Sequence, residues 1–303
     1  MKVAVTGSSG LIGTALTASL EGDGHTVIPV VRPGSGAGSS SARTSVAWDI
    51  EQGTIDADGL EGVDAVVHLA GVGIGDKRWS DAHRRNVLES RRKGTDLLCR
   101  TLAALSNPPK VLLSGSAEGI YGDRGDEVLT EDSAPGDLFL SEVCTAWEAA
   151  TAPAEAAGIR VAHLRTGLVI TAKGGFLGRM LPLVKLGLGG RLGSGRQWWS
   201  WITITDEIGA IRFLLDHDVH GPVNLTAPGS VTNAEFTKAL GAVLHRPTFF
   251  AVPAFAPRLL LGREMADELL FAGQRVQPAV LLAEGYSFAH PEVTEGLRAE
   301  LGR

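Results

Sequence analysis

Residues 2 to 13 read K-V-A-V-T-G-S-S-G-L-I-G. Val3 and Val5 alternate with smaller or polar neighbours as in a strand, and Gly7, Gly10 and Gly13 then recur at every third position before a helical pattern begins. A strand that runs into a tight turn and then a helix aims free backbone N–H groups and the positive end of a helix dipole at one spot, which suits a pyrophosphate. Gly7 allows the sharp turn, Gly10 removes a Cβ that would block the phosphate, and Gly13 lets the helix lie close to the strand. Coming directly after a buried-looking strand, the spacing reads as a dinucleotide site, with Gly7, Ser9, Gly10, Leu11, Ile12 and Gly13 around the diphosphate. A glycine-rich turn without a ligand is the plainer alternative.

Outward from this stretch the same logic repeats. Leu16 and Leu20 carry an apolar helix face until Gly22 and Gly24 end it, and H-T-V-I-P-V-V-R, from His25 to Arg32, reads as a buried second strand. Strand, helix and strand within about thirty residues make a βαβ unit. Val46 to Asp49, Ala65 to Ala70, Lys110 to Gly115 and Arg160 to Leu164 read as further strands, with helices over Asp81 to Leu105 and Ser141 to Ala157. Continuous Val, Leu and Ile runs alternating with helices predict an α/β fold, a doubly wound parallel sheet covered on both faces. The Gly and Ser cluster from Pro33 to Ser41 is expected to form a flexible loop. Near Thr171 glycines, basic residues and tryptophans break the rhythm. Residues 1–170 are therefore expected to form a dinucleotide-binding domain, its sheet completed by 200–228 with a last strand at Val223 to Thr226. Residues 171–303 are expected to form a smaller, mainly helical substrate part, in which Thr232 and Glu235 make a capping box for a helix to Leu244.

The chain has 303 residues and a formal net charge of −6. That length can bury a sizeable core, and the modest acidic charge argues against a duplex-wrapping or membrane-surface protein, because no basic stripe exists to neutralise phosphates. Neither a nucleic-acid partner nor a membrane is expected. Arg84, Arg85, Arg91, Arg92 and Lys93 form the one dense basic run, which reads as a solvated helix face. Cys99 and Cys144, the only cysteines, offer neither a disulfide framework nor a zinc set. With a strand from residue 2 and no apolar run long enough to cross a bilayer, a cytoplasmic protein is expected. Asp216, His217, Asp218 and His220 have a metal-like composition, but their position between a helix end and G-P-V-N-L reads as an exposed turn, and no metal is expected.

The residue that ends the second strand selects between nicotinamide cofactors. An acid there would accept hydrogen bonds from the adenosine ribose, whereas Arg32 can pair with a 2′-phosphate, so NADP(H) is expected in preference to NAD(H). The bland reading is a surface arginine. Asp49 is placed either to meet adenine or to cap a turn. Ala70 and Gly71, at the end of the fourth strand, are small where a ring or ribose passes close to backbone. His68 before them reads as a core histidine.

Several motifs now carry a family resemblance: T-G-S-S-G-L-I-G at 6–13, H-L-A-G at 68–71, S-G-S-A-E-G-I-Y-G at 114–122 and L-R-T-G-L-V at 164–169. Together they resemble the extended short-chain dehydrogenase/reductase superfamily, NAD(P)-dependent epimerases and dehydratases with a Rossmann fold. R-W-S at 78–80, E-S-R at 89–91, W-E-A-A at 147–150, G-S-G-R-Q at 193–197 and G-x-R-V-Q-P at 273–278 resemble a poorly characterised "epimerase family protein" branch, whose helical C-terminal segment would correspond to about 249–296. The resemblance implies cofactor contacts from Leu69, Arg91, Ser114, Arg165, Thr166 and Gly167. It also implies a tyrosine and, four residues on, a lysine that lowers the phenol pKa. Between Tyr121 and Lys173 the chain has neither residue type; the pair would fall near Leu140 and Cys144. An asparagine of the central helix is replaced, with Ser90 and Arg91 in its neighbourhood. Ser116 stands at the position of the substrate-binding serine, with Glu118 and Tyr121 nearby as acid/base candidates.

Arg196, Gln197, Trp198, Trp199 and Trp201 are expected either to line a substrate pocket, with indoles as walls and the arginine as an anion clamp, or to pack between parts. Two functions follow. One is an NADP(H)-dependent reductase or epimerase for a small or nucleotide-linked substrate that dispenses with the usual dyad; the other is a non-catalytic NADP(H) sensor. Related folds often pair through two long central helices, so a homodimer is possible.

Overall fold

The computed structural model describes residues 1–33 and 45–303; the loop expected from Pro33 to Ser41 falls, from residue 34 on, outside the described residues. The chain begins β1 (Lys2–Thr6), α1 (Leu11–Gly22), β2 (Thr26–Val31), β3 (Val46–Asp49), β4 (Thr54–Ile55), β5 (Ala65–His68), α2 (Asp81–Ala104) and β6 (Val111–Ala117). After a short β7 (Val128–Leu129) come α3 (Phe139–Ala149), α4 (Ala152–Ala156), β8 (Arg160–Thr166) and β9 (Leu168–Ile170). The C-terminal part adds α5 (Gly175–Lys185), β10 (Gly190–Leu192), β11 (Trp198–Trp199), β12 (Trp201–Thr203), α6 (Ile204–Asp216), β13 (Gly221–Leu225), β14 (Val231–Thr232) and α7 (Asn233–Leu244). It closes with β15 (Phe250–Val252), α8 (Phe255–Leu261), α9 (Arg263–Ala266), β16 (Arg275–Val276), α10 (Ala279–Ala283) and α11 (Val293–Leu301).

Among the described residues eight strands form one sheet in the order β13-β8-β6-β5-β1-β2-β3-β4. Every pair is parallel except β3 with β4. The order reverses at β1, where Val3 pairs with both Val27 and Ala65, and the carboxyl ends of strands at such a switch point form the usual ligand crevice. Helices α1 and α6 cover Val3, Val5, Val67, Leu113 and Leu164 on one face. Helices α2 and α4 cover Ala4, Val66, Leu112 and Val161 on the other. Burial on both faces is why the strands read as apolar runs rather than alternations.

Several boundaries differ from expectation for local reasons. The strand expected to reach Ala70 ends at His68: the Leu69 amide is shared between the Thr6 carbonyl at 3.4 Å and the Thr6 hydroxyl at 3.0 Å, and the Ala70 amide goes to that hydroxyl at 3.1 Å. The helix expected from Ser141 to Ala157 is two helices: Pro153 has no N–H for the Ala149 carbonyl, and the helix stops there. Strands β6 and β8 run past their expected ends at Gly115 and Leu164, to Ala117 and Thr166. The capping box at Thr232 and Glu235 starts α7. His217, after the end of α6, stacks on Phe213 with ring centroids 3.6 Å apart.

Candidate functional site

The turn after β1 is shaped by its glycines. Gly7 has φ +65°, and a Cβ there would lie 2.9 Å from the Leu69 carbonyl carbon. A Cβ on Gly13 would run into the Gly7 carbonyl, whereas one on Gly10 would meet only the Gly7 oxygen at 3.2 Å, so its outer side is open. Gly10 caps α1 without a side-chain bond, and no acid stands in the first turn. The amides of Leu11, Ile12 and Gly13 therefore have no intrahelical acceptor, and Ser9 and Gly10 beside them are exposed. Uncapped amides, a helix dipole and a side-chain-free approach fit a diphosphate. Arg32 is exposed directly after β2. The Asp49 carboxylate accepts from the Glu51 and Gln52 amides at 3.0 and 3.1 Å, which is the turn-capping role.

Across the switch point lie Thr6 and His68. The Thr6 oxygen already accepts two amides, so its proton goes to His68 Nδ1 at 2.7 Å, leaving Nε2–H to donate to Thr95 at 2.9 Å. Burial, with the nearby Arg91 charge, pushes the His68 pKa down to about 3; it is a neutral core histidine. The basic run on α2 is not one solvated face. Arg92 and Lys93 pair with Glu89 and Arg84 with Glu264, but Arg91 turns inward, 7% exposed. Its Nη1 donates to the Val72 and Val87 carbonyls, its guanidinium lies 4.8 Å from the Trp147 ring centroid, and Nε has no partner. Burial lowers its pKa to about 10. A Cβ on Gly71 would lie 2.8 Å from the Arg91 Cζ, so Gly71 is small because the guanidinium is packed against it. Ser90 accepts from the Val72 amide at 3.1 Å.

Ser116 on β6 and Arg165 on β8 are register partners, and both meet Glu148 of α3. Ser116 donates to Glu148 Oε1 at 2.7 Å, and Arg165 forks onto the same carboxylate with Nε and Nη2, each at 2.9 Å. Its Nη1 donates to the Tyr121 oxygen at 3.0 Å and to the Glu131 carbonyl, while Tyr121 donates to Asn224 Oδ1 at 2.6 Å. Burial opposes ionisation of both Glu148 and Arg165, yet their forked bonds outweigh it, holding the carboxyl below and the guanidinium above its usual range. The Arg165 side chain is committed to Glu148, because strand alternation turns it to the α3 face. Tyr121 is fully buried, its only proton is engaged, and burial lifts its pKa to about 12.

Glu118, half-buried directly after β6, has a buried Oε2 without a partner, and burial holds its pKa well above the ordinary carboxylate value. Ser114 is buried with an unpartnered hydroxyl. Leu140 and Cys144 occupy α3 where the resemblance would put a tyrosine and a lysine; burial, then the Glu148 charge, lifts the Cys144 thiol to about 11. Thr166 donates to Glu207 Oε1 at 2.9 Å, and a Cβ on Gly167 would come within 2.7 Å of the Ser200 carbonyl oxygen.

Of the substrate candidates, Arg196 and Gln197 line a cavity of about 420 Å³ with Asp123, Asp126, Arg258 and Phe271. Trp199 and Trp201 do not. Residues two apart in an extended segment share a face, and this face is inside: Trp199 packs edge-on against Phe176 and Phe236, and fully buried Trp201 donates to the Gly229 carbonyl at 2.8 Å. Trp198 donates to Asp126 at 2.7 Å. Sequence reasoning missed Glu148, Glu131 and Asn224. Glu148 alone left a signal, standing one helical turn after Cys144.

The NAD dependent epimerase/dehydratase family profile matches residues 3–226, and a domain of unknown function, DUF1731, matches residues 252–300. Epimerase family protein ML0860 of Mycobacterium leprae is 43% identical over 296 residues, covering 97% of this chain and 94% of the relative. Epimerase family protein SDR39U1 of Homo sapiens is 38% identical over 303 residues, covering 98% and 99%. The crystal structure of human SDR39U1 (isoform 2) with NADPH matches with a TM-score of 0.89 at 36% identity, over 100% of both chains. UDP-glucose 4-epimerase of Thermus thermophilus in complex with NAD shares the fold at a TM-score of 0.77 and 19% identity, over 100% of this chain and 98% of its own. With a Rossmann-type sheet, a glycine-shaped turn at its switch point and relatives along nearly its whole length, the chain belongs to the NAD dependent epimerase/dehydratase family, within the extended short-chain dehydrogenase/reductases, alongside the SDR39U1-like proteins.

Proposed function

We propose that the protein is an NADP(H)-dependent oxidoreductase or epimerase that acts on a small or nucleotide-linked substrate without a Tyr/Lys dyad. The observation that carries this reading is the uncapped start of α1, open at Gly10, with Arg32 at the end of the next strand to pair with a 2′-phosphate. The NADPH named with the human relative supports the phosphate preference. When bound, the nicotinamide would give or take a hydride. The chain's own residues do the rest. The amides of Leu11, Ile12 and Gly13 hold the diphosphate, and the Thr6 hydroxyl fixes the Leu69–Ala70 backbone across from them. The Ser116 hydroxyl donates to Glu148, which leaves its lone pairs to accept from a substrate hydroxyl. Glu118, whose buried carboxyl resists ionisation, is the proton donor. Arg196 supplies an anion contact in the cavity beyond the Glu118–Tyr121 turn.

The non-catalytic sensor is favoured by one observation, the apolar Leu140 and buried Cys144 on α3. Fluorescence titration with NADPH and NADH, then a screen of carbonyl compounds against bound NADPH, separates the readings. Tighter binding of NADPH with turnover of at least one carbonyl class supports the enzyme. Tight binding with no turnover across a broad panel selects the sensor, and no binding of either cofactor removes both. The reading also includes a cytoplasmic protein, in keeping with two free, buried cysteines, and a homodimer, which light scattering would test.

A further inference from the structure

The net charge of −6 hides a segregation. Residues 156–205 and 236–263 contain no Asp or Glu, and folding brings these two stretches together. Strand β10 pairs with β15, Arg246 Nε donates to the Lys185 carbonyl at 2.8 Å, and Pro247 lies against Gly187. Of the eleven large hydrophobic side chains exposed among the described residues, eight lie here: three around the end of α5, two at β15 and three on α8. Helix α8 buries none of its residues, and its Leu259 and Leu260 are 76% and 78% exposed. Lys173, Arg179, Lys185, Arg191, Lys238 and Arg246 in the same stretches are all exposed. Among the described residues none of the six is ion-paired to a carboxylate. The first acids past the second stretch, Glu264 and Asp267, are taken by Arg84 and Arg258.

Leucines and phenylalanines left in water mark an interaction face, and exposed cations in the same two stretches, none paired with a carboxylate, select an anionic occupant. A second copy of the chain fits poorly, because a two-fold interface sets a patch against itself and would bring like charges together. A bilayer surface satisfies both features, the side chains entering the acyl boundary while the cations meet headgroup phosphates. No helix among the described residues is long and apolar enough to cross a membrane, so such contact would be peripheral. We propose that the face formed by the end of α5, β15 and α8 docks on a bilayer rich in anionic phospholipid. The expectation of no membrane partner rested on a modest acidic net charge and on finding no basic stripe along the sequence, whereas the fold gathers cations from two distant stretches. The face adjoins the candidate site, since Arg258 of α8 lines the cavity of Arg196 and Gln197.

Co-sedimentation of the full-length protein with phosphatidylcholine vesicles, with and without phosphatidylglycerol and at low and high salt, tests this. Pelleting is expected with phosphatidylglycerol at low salt, and is expected to fall with high salt or phosphatidylcholine alone. The double variants L259S/L260S and K185E/K238E are each expected to lower partitioning by at least about tenfold. Both should keep the wild-type circular dichroism and thermal midpoint, because these side chains contact water. Absence of wild-type pelleting on phosphatidylglycerol vesicles overturns the proposal, and so does pelleting that neither variant weakens. A wild-type oligomer that L259S/L260S dissociates, with no vesicle binding, makes the face a self-interface and overturns it equally.

Discussion

A buried guanidinium needs something to balance its charge, and the two buried arginines differ in what they find. Arg165 has a forked carboxylate, whereas Arg91 has two carbonyls and an indole face. Glu148→Gln would leave Arg165 buried beside a neutral amide and is expected to cost about 3–5 kcal/mol, read as a fall in thermal midpoint. An R165M/E148L double variant should recover much of it, and a single variant that melts like wild type would show the pair to be energetically idle. Glu207 makes a pH prediction. Burial raises its pKa from 4.5 to about 8, so in acid it is protonated whether folded or unfolded and nothing is lost. As pH rises between these values the unfolded chain ionises while the fold resists, and stability falls by on the order of a few kcal/mol. The midpoint of Glu207→Gln should fall less than that of wild type across that window; parallel curves would remove Glu207 as the cause. At the cofactor, Arg32→Ala is expected to weaken NADPH at least about tenfold and NADH less than about twofold. Equal losses in the titration would take Arg32 out of the 2′-phosphate role. The glycines' place in the turn was legible because its backbone geometry follows from a local motif. Glu148 was not, because its partners come from strands that meet α3 only after folding.

The first turn and α1 show how far one element's chemistry can be read from spacing, and the three glycines there do not do the same thing. A methyl group at Gly13 would strike the Gly7 carbonyl, while one at Gly10 meets a single oxygen at 3.2 Å and otherwise points outward. Gly13→Ala should therefore lower both thermal midpoint and NADPH affinity, whereas Gly10→Ala should keep the midpoint within a few degrees and lose most NADPH affinity through steric exclusion of the diphosphate. If Gly10→Ala bound NADPH normally, the diphosphate would not lie against this turn. Elements set by local rules matched their reading: α1 and β2 follow their apolar runs, and the capping box starts α7. Tertiary demands decided the others. The Thr6 hydroxyl takes the Ala70 amide and shares the Leu69 amide with the Thr6 carbonyl, which ends a strand, and Trp199 and Trp201 face inward because α5 and α7 offer Leu181, Phe236 and Leu240 to pack against.

For the molecule as a whole, the question is whether the C-terminal segment is an appendage or part of the core. The change of texture near Thr171 suggested a separate part, yet the bonds cross that line repeatedly. Glu131, after β7, accepts from the Asn224 and Val280 amides at 3.0 and 3.2 Å, and Asn224 donates to the Gln277 carbonyl at 2.9 Å. Leu281 of α10 is fully buried in the same cluster as Val3, Val67 and Leu164 of the sheet. Val276 of β16 packs with Ile120, Tyr121 and Leu129, and β16 extends β7 by parallel pairing. Removing everything after residue 248 would strip Glu131 and Asn224 of buried partners and open apolar surface in two clusters at once. Each unsatisfied polar group costs about 1–3 kcal/mol, and each lost core leucine about 2–5 kcal/mol, together comparable to the whole stability of an ordinary domain. Residues 1–248 expressed alone are therefore expected to lack a cooperative thermal transition in circular dichroism, while the full chain melts in one step. A sharp transition for the truncated chain within a few degrees of the full-length midpoint would mean that the segment rests on the sheet without holding it together.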